Sequence, residues 1–221
     1  MHAETQTEWE CRMFGKVIEY LKDELCIDLP YMERALAALT PEGQENLSAF
    51  ATEGIHLYFP PAHYLKLFEE NELFLRRAYL HTVLHCLYAH LWQRGDREEH
   101  RWNLACDIAV ESVIDSLNQP STKRLLSWSR QQIYDRLKAG SVYSAAGIYA
   151  LLECEPQEEL VRLAREFYTD DHALWGMGQK QAPMPGQGEA PQEIQKKWQK
   201  IARRVQLQKE KSDQTQDMAA T

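Results

Sequence analysis

The chain has 221 residues, 44% of them hydrophobic, and a formal net charge of -8 at pH 7. This composition suits one folded domain with helical appendages and excludes a largely disordered chain. The acidic balance, without a basic stripe, argues against partners such as nucleic acid or an anionic membrane surface. Five scattered cysteines, none in a Cys-x-x-Cys pair, are typical of reduced thiols in a cytoplasmic protein. The polar N-terminus and the lack of a long apolar run predict neither a signal peptide nor a membrane span.

The N-terminal part of the chain predicts helices. Residues 8–26 repeat apolar side chains at helical spacing with charged residues between them, which indicates an amphipathic helix laid on a core. Asp28 and Pro30 end this helix and open a second, shorter one through residues 35–39. We interpret residues 40–43 as a turn because they contain both Pro and Gly.

One short segment has the period of a strand. Ile55, Leu57 and Phe59 alternate with less apolar residues, as in a half-buried β-strand. Gly54 is expected to turn the chain into this strand, and Phe50 would lie on a preceding strand of a β-hairpin. No other segment gives a comparable signal, so the sequence predicts only a small sheet.

Two long apolar helices then form the predicted core. A short helix over residues 62–70 leads into residues 72–92, which are apolar nearly all round and predict a central, largely buried helix. A polar loop separates it from residues 102–117, a second buried helix that Asn118 and Pro120 end.

Three further helices are predicted over residues 122–138, 143–153 and 157–168. The fold class that follows is mostly α (α+β), a helical domain with one small β-hairpin or short sheet.

The C-terminal part differs in composition. Residues 176–191 are rich in Gly, Pro, Gln and Met, which is typical of a linker. An apolar stripe then marks a final basic helix, and we expect the polar tail after Glu210 to be disordered. We therefore divide the chain into a helical domain over residues 1–180 and a Gly/Pro-rich linker, basic helix and disordered tail over residues 181–221.

His81 and His85 lie four residues apart on the central helix. Because an α-helix turns 100° per residue, both side chains project from one face and can present ring nitrogens to one metal ion. Asp107 lies within the second apolar helix, where a carboxylate must be paired, protonated or bound to metal. A His-x-x-x-His helix followed about twenty residues later by an acidic ligand is the layout of a catalytic zinc site with three protein ligands.

The same residues also fit a metal-free interpretation. Two histidines on a buried helix can be hydrogen-bonded core residues, and Asp107 can pair with Arg76, Arg101 or a histidine. The protein would then be a metal-free helical interaction protein that binds partners through its final helix and its linker.

Two other histidines are weaker candidates. His90 is nine residues from His81, on the opposite side of a straight helix, and could reach a metal only if the helix breaks near Ala89. We expect it to support the site from the helix end instead. His172 lies between two acids and Trp175, and it could polarise a substrate carbonyl, orient a ligand or form a local packing contact.

Several motifs occur in the order of a known family. T-E-G at residues 52–54, H-T-V-L-H at residues 81–85 and W-N-L-A-C-D at residues 102–107 resemble the bacterial metallopeptidase-like domain often found N-terminal to von Willebrand factor A-like domains. The resemblance covers residues 45–180. It implies a zincin-like fold, a peptide or protein substrate, and a von Willebrand A-like protein or an AAA ATPase as partner. It also implies that His81, His85 and a third residue bind zinc. Asp107 is the first candidate for the third ligand, and His90 and His172 are the alternatives.

The chain departs from that family's pattern at catalytic positions. Thr82 stands where the family carries the glutamate that accepts a proton from metal-bound water, which threonine cannot do near neutral pH. Glu53 replaces an Asp, and Glu111 replaces an Asn one turn beyond Asp107. We therefore predict a zinc-binding, catalytically impaired metallopeptidase-like protein that acts as a binding or regulatory module. The alternative is an active zinc protease in which Glu111 is the base.

Overall fold

A computed structural model of the chain describes residues 4–175 and 190–219, with side chains as far as residue 214. Within these ranges the fold is mostly helical with one small sheet, which confirms the predicted fold class. None of the described helices is both long and apolar enough to cross a membrane. The predicted linker falls almost wholly outside the described residues. The helices are α1 (Gln6–Asp28), α2 (Glu33–Leu36), α3 (Pro61–Leu87), α4 (Glu99–Leu117), α5 (Trp128–Ala139), α6 (Ala145–Leu152), α7 (Gln157–Phe167) and α8 (Pro191–Ala219).

Among the described residues, the sheet has three short strands. The middle strand, β3 (His56–Phe59), pairs parallel with β1 (Thr40–Gly43) and antiparallel with β2 (Ala51–Thr52). The predicted hairpin is therefore β2–β3. Gly54 forms its turn with a φ of 100°, a conformation that favours glycine.

The predicted turn over residues 40–43 is wrong, because these residues form strand β1. The backbone N–H of Thr40 donates to Ile55 O at 2.9 Å, and that of Gln44 donates to Phe59 O at 2.8 Å. Pairing with a strand more than ten residues away overrides the local turn signal. Pro41 is tolerated because β1 lies at the edge of the sheet.

Helices α1 and α3 pack against each other in the larger of two hydrophobic cores. Helix α1 begins with a capping box, in which the side chains of Thr5 and Glu8 accept each other's backbone N–H groups. Helix α3 is interrupted at Asn71, whose backbone is non-helical and whose side-chain oxygen accepts a hydrogen bond from Phe74 N at 3.1 Å. This interruption separates the two helices that the sequence predicts over residues 62–70 and 72–92.

Helix α4 lies between two hydrophobic cores. Val110 and Ile114 belong to the larger core, shared with α1, α3, the sheet and α8, whereas Trp102 and Ile108 belong to a smaller core shared with α5–α7. The helix ends at Leu117 and is followed by Asn118, which adopts a left-handed backbone conformation with a φ of 52°. The middle of α4 faces the C-terminal half of α3 at the centre of the molecule.

Helix α8 completes the larger core. Ile194 and Trp198 are buried, and the indole N–H of Trp198 donates to Gly54 O at 2.7 Å. The helix continues to Ala219, where the sequence predicts a disordered tail after Glu210. Side-chain pairs one helical turn apart, such as Lys209 with Asp213, support this extension.

Candidate metal centre

His81 and His85 lie at the centre of the fold, on the face of α3 that meets α4. Both side chains are fully buried, and their Nε2 atoms are 2.7 Å apart. Asp107 of α4 faces them, with its Oδ1 atom 3.4 Å from His81 Nε2 and 3.3 Å from His85 Nε2. The structure thus brings together the three residues that the sequence predicts as ligands.

The segment after α7 adds two more side chains. Asp170 Oδ1 lies 3.4 Å from His81 Nε2 and 2.8 Å from His172 Nε2. His172 Nε2 lies 3.1 Å from Asp107 Oδ1. One donor atom from each of the five residues lies within 4.8 Å of all the others. We term His81, His85, Asp107, Asp170 and His172 the donor cluster.

A backbone contact with the sheet positions this last segment. The N–H of Asp171 donates to Phe50 O at 2.7 Å, and Asp171 forms an isolated parallel bridge with Ala51. In extended backbone, residues two apart point to the same side. Asp170 and His172 therefore both face the histidines of α3.

Sequence reasoning missed Asp170 as a candidate ligand and treated His172 as an alternative to Asp107, whereas the structure brings both to the cluster. The spacing of Asp170 and His172, two residues apart in a non-helical segment, was the available signal. That signal is weak alone, because nothing local shows which side of the segment faces α3.

Three donor atoms of the cluster are buried without a hydrogen-bond partner: Asp107 Oδ1, Asp170 Oδ1 and His172 Nε2. An unsatisfied buried polar atom costs about 1–3 kcal/mol, and more when it carries charge. A divalent cation at the centre of the cluster would satisfy these atoms together. Imidazole nitrogens and carboxylate oxygens are ligands of zinc, and also of iron and manganese. The residues present therefore fit a metal ion.

The charges of the cluster are interdependent. Burial raises the pKa of Asp107, but His172, His81 and His85 together outweigh burial and hold that pKa well below its usual range. Burial disfavours the charged form of His172, yet Asp107 and Asp170 raise its pKa to about 10. Burial disfavours the charged form of His81 as well, but Asp170, Asp107 and Glu111 together outweigh burial and raise its pKa. Without a metal ion, the positive charges of protonated His81 and His172 thus offset the negative charges of Asp107 and Asp170.

His85 behaves differently from the other two histidines. Burial, followed by the charge on His81, lowers its pKa to about 4. It is therefore neutral near neutral pH and has a lone pair available for a metal.

Hydrogen bonds on the outer side of the rings orient both helix histidines. His81 Nδ1 lies 2.9 Å from Glu111 Oε1, and His85 Nδ1 lies 3.0 Å from His90 Nδ1. A proton on each Nδ1 leaves each Nε2 atom free to face the cluster, as in carboxylate–histidine–metal arrangements. Helix α3 ends at Leu87, and Ala89 has a φ of 60°. This break brings His90 to His85 and not to the donor atoms.

Glu111 lies on the far side of His81 from the cluster. Its Oε2 atom accepts hydrogen bonds from Arg77, Arg124 and Arg130, each at 2.7 Å. Asp115, one turn along α4, accepts from Arg77 at 2.6 Å. We term these five residues the arginine network.

The predicted role of Glu111 as a substitute base disagrees with this geometry. A general base must come within hydrogen-bonding reach of the proton that it accepts. Both carboxylate oxygens of Glu111 are engaged, one by the arginines and one by His81 Nδ1. Burial alone would raise the pKa of Glu111. The hydrogen bond from His81 and the charges of the arginines outweigh burial and hold that pKa well below its usual range. Glu111 is placed to orient His81, because the imidazole ring of His81 lies between the Glu111 carboxylate and the donor atoms of the cluster.

Thr82 is fully buried beside the cluster. Its hydroxyl lies 3.1 Å from Ala78 O and 3.0 Å from Asp170 Oδ2. The side chain at this position therefore contacts the outer oxygen of Asp170 while the inner oxygen faces the histidines. A glutamate in the same place would bring a further negative charge against Asp170.

The arginines considered as partners of Asp107 lie elsewhere. Arg76 forms ion pairs with Glu72 and Glu24, and Arg101 packs its guanidinium over Tyr149. The counter-charges of Asp107 are histidines.

The cluster adjoins the solvent on one side. A cleft of about 410 Å³ between α4 and α7 reaches Asp107, Asp170 and His172. The ring of His172 also stacks against Trp175, with ring centroids 3.9 Å apart. Access to the donor atoms is therefore narrow, since the side chains of Asp107 and His172 are only 10% and 7% exposed.

Comparison with known proteins gives one family. Residues 21–220 match the model of the family described as "Putative metallopeptidase domain". No curated protein and no solved structure gives a significant match.

Proposed function

The chain belongs to this family of metallopeptidase domains, and we propose that it is a zinc-binding member without peptidase activity that acts as a binding or regulatory module. The observation that carries the proposal is the donor cluster, with its three unsatisfied buried donor atoms. His81, His85, Asp107, Asp170 and His172 would hold the ion.

Zinc suits this set because it binds imidazole nitrogen and carboxylate oxygen in small clusters. In a site with an open coordination position, zinc acts as a Lewis acid and lowers the pKa of a bound water. The chain's own groups fix the ring orientations, since Glu111 and His90 occupy the Nδ1 atoms of His81 and His85.

The absence of peptidase activity rests on two features of the site. First, Thr82 stands at the position of the base, and Glu111 is held behind His81 by the arginine network. Second, Asp170 and His172 add to the three predicted ligands. Catalytic zinc sites typically have three protein ligands and an open position, whereas structural zinc sites are closed. Five converging donors favour the closed kind.

A binding role requires a binding site on the protein, a partner and a cellular compartment in which the two meet. The cleft beside Asp107 and His172 offers a place for a peptide or a protein loop. A von Willebrand A-like protein or an AAA ATPase is the partner that the family resemblance suggests. The described cysteines are all free, which is consistent with the proposed cytoplasmic location.

The proposal is tested by metal content together with a cleavage assay. Elemental mass spectrometry of untagged protein, purified without added metal, should give about one zinc per chain. The variant His85→Ala should lose it, whereas His63→Ala, an exposed histidine on the same helix, should keep it. The zinc-loaded protein should cleave no member of a diverse peptide library. Chelator-sensitive cleavage would refute the inactive assignment, and a folded wild type without metal would refute the zinc site.

A further inference from the structure

A large apolar cavity lies away from the donor cluster, on another face of α3. It has a volume of about 500 Å³. Its walls come from four parts of the chain: Leu29 and Met32 before α2, Leu80 and Leu84 on α3, Val113 on α4 and Val205 on α8. Leu80 and Leu84 immediately precede His81 and His85, so their side chains project about 100° around the helix from the histidines.

The cavity has the properties of a small-molecule site. Ligand sites typically enclose about 300–1,000 Å³ and combine apolar walls with a few polar groups. Here the apolar walls meet two tyrosines, Tyr31 and Tyr88, near the surface. The walls therefore favour an apolar chain over a polar ligand.

The polar part of the lining is cationic. Arg203, Gln206 and Lys209 of α8 line the cavity, and no carboxylate does so among the described residues. Arg203 is exposed and forms no ion pair with a described residue, while Lys209 contacts Asp213 at 3.3 Å. Between residues 191 and 214, seven Lys and Arg residues face three Asp and Glu residues in a chain whose net charge is -8. The positive charge is thus concentrated on the helix that borders the cavity.

We propose that this cavity binds a small amphipathic anion, with an unbranched apolar chain inside and a carboxylate at Arg203 and Lys209. The apolar walls would exclude water from the chain, and the two cations would fix the orientation of the head group. The proposal is independent of metal binding, because none of the donor cluster residues lines the cavity.

Calorimetric titration of the full-length protein with dodecanoate tests this proposal. We expect saturable binding with one site per chain. Affinity should rise from octanoate to dodecanoate by about fourfold per methylene until the cavity is filled. Leu84→Trp and Val113→Phe, which place larger side chains in the cavity, should each weaken binding at least tenfold, and circular dichroism checks that each variant is folded.

Head-group recognition is tested with matched ligands and a matched variant. The double variant Arg203→Gln with Lys209→Gln should weaken dodecanoate binding several-fold and leave dodecanol binding unchanged. Arg204→Gln, a neighbouring arginine on α8 that does not line the cavity, should bind dodecanoate like the wild type. Dodecylammonium should bind more weakly than dodecanoate.

Three results would overturn the proposal. One is the absence of saturable dodecanoate binding, including the case in which the protein instead dimerises through this face. Another is unchanged binding in both folded cavity-filling variants. The third is equal affinity for dodecanoate and dodecylammonium, which would show that the cations do not recognise the head group.

Discussion

Two buried groups of charges lie on either side of His81, and they differ in how their charges are satisfied. In the arginine network, the carboxylates of Glu111 and Asp115 accept hydrogen bonds from three arginines. In the donor cluster, the inner oxygens of Asp107 and Asp170 have no hydrogen-bond partner. The protein satisfies the first group with hydrogen bonds from its own side chains, whereas the inner oxygens of the second group are placed to bind a cation. The imidazole of His81 joins the two groups, with Nδ1 towards Glu111 and Nε2 towards the donor cluster.

The largest expected effect comes from breaking the arginine network. Arg77 is buried and contacts both Glu111 and Asp115. Arg77→Met leaves two buried carboxylates with less compensation, so the free energy of unfolding should fall by about 3–5 kcal/mol. Urea denaturation of the zinc-loaded protein measures this change.

The matched control is an arginine in an exposed ion pair. Arg12 pairs with Glu4 at the surface, where both side chains are more than 40% exposed. Arg12→Met should change stability by less than about 1 kcal/mol. Equal losses in the two variants would contradict the claim that the network satisfies otherwise uncompensated buried charge.

The second prediction concerns the pH dependence of metal binding. The raised pKa values of His81 and His172 mean that both carry protons near neutral pH without metal, whereas a bound metal requires both Nε2 atoms to be unprotonated. Zinc affinity should therefore increase with pH between about pH 6 and 8, by up to about a hundredfold per pH unit for two released protons. Competition with a chelator of known affinity measures the slope.

Removing one of the two protonated groups should change that slope. In His172→Gln the affinity should fall, and the slope should decrease by about one proton. A slope near zero in the wild type would contradict the pairing of carboxylates with imidazolium groups in the donor cluster.

The third prediction tests the link between the two groups. Glu111→Gln keeps the size of the side chain but removes the carboxylate that accepts from His81 Nδ1. Loss of such a partner typically lowers metal affinity by about 10–100-fold. Glu111→Asp, which keeps the charge, should recover part of the affinity if the carboxylate orients His81. If Glu111→Gln bound zinc as tightly as the wild type, Glu111 would have no positioning role.

The smallest expected effect is at Thr82. Its hydroxyl lies 3.0 Å from Asp170 Oδ2, so Thr82→Val, which has nearly the same shape, should lower zinc affinity by about tenfold or less. Thr82→Ser keeps the hydroxyl and should retain more of the affinity. Equilibrium dialysis compares the two variants. A larger loss in Thr82→Ser than in Thr82→Val would rule out the hydroxyl as the cause.

The parts of this arrangement that the sequence predicts are those with local signals. Helical spacing relates His81 to His85, and a charge inside an apolar helix marks Asp107. Alternation of apolar residues predicts strand β3, which the structure confirms. The other parts depend on contacts between distant residues. Asp170 reaches the cluster because the next residue bonds to Phe50 O, some 120 positions earlier in the chain.

The contacts of Glu111 with distant residues were likewise not predictable from the sequence. Its spacing from Asp107 correctly places it one turn along the same face of α4. The sequence does not show that arginines from α3, α5 and the intervening loop occupy its other oxygen. The position of the carboxylate was therefore predictable, but its surroundings were not.

X-ray absorption spectroscopy at the zinc edge tests the central claim most directly, because it reports the ligands of the bound ion. The donor cluster predicts a first shell of four or five nitrogen and oxygen atoms, with scattering from three imidazoles and no sulfur. The shell should lose imidazole scattering in His172→Gln. A shell that contains sulfur, from a cysteine such as the buried Cys86 or Cys106, or one that is unchanged in His172→Gln, would contradict this account.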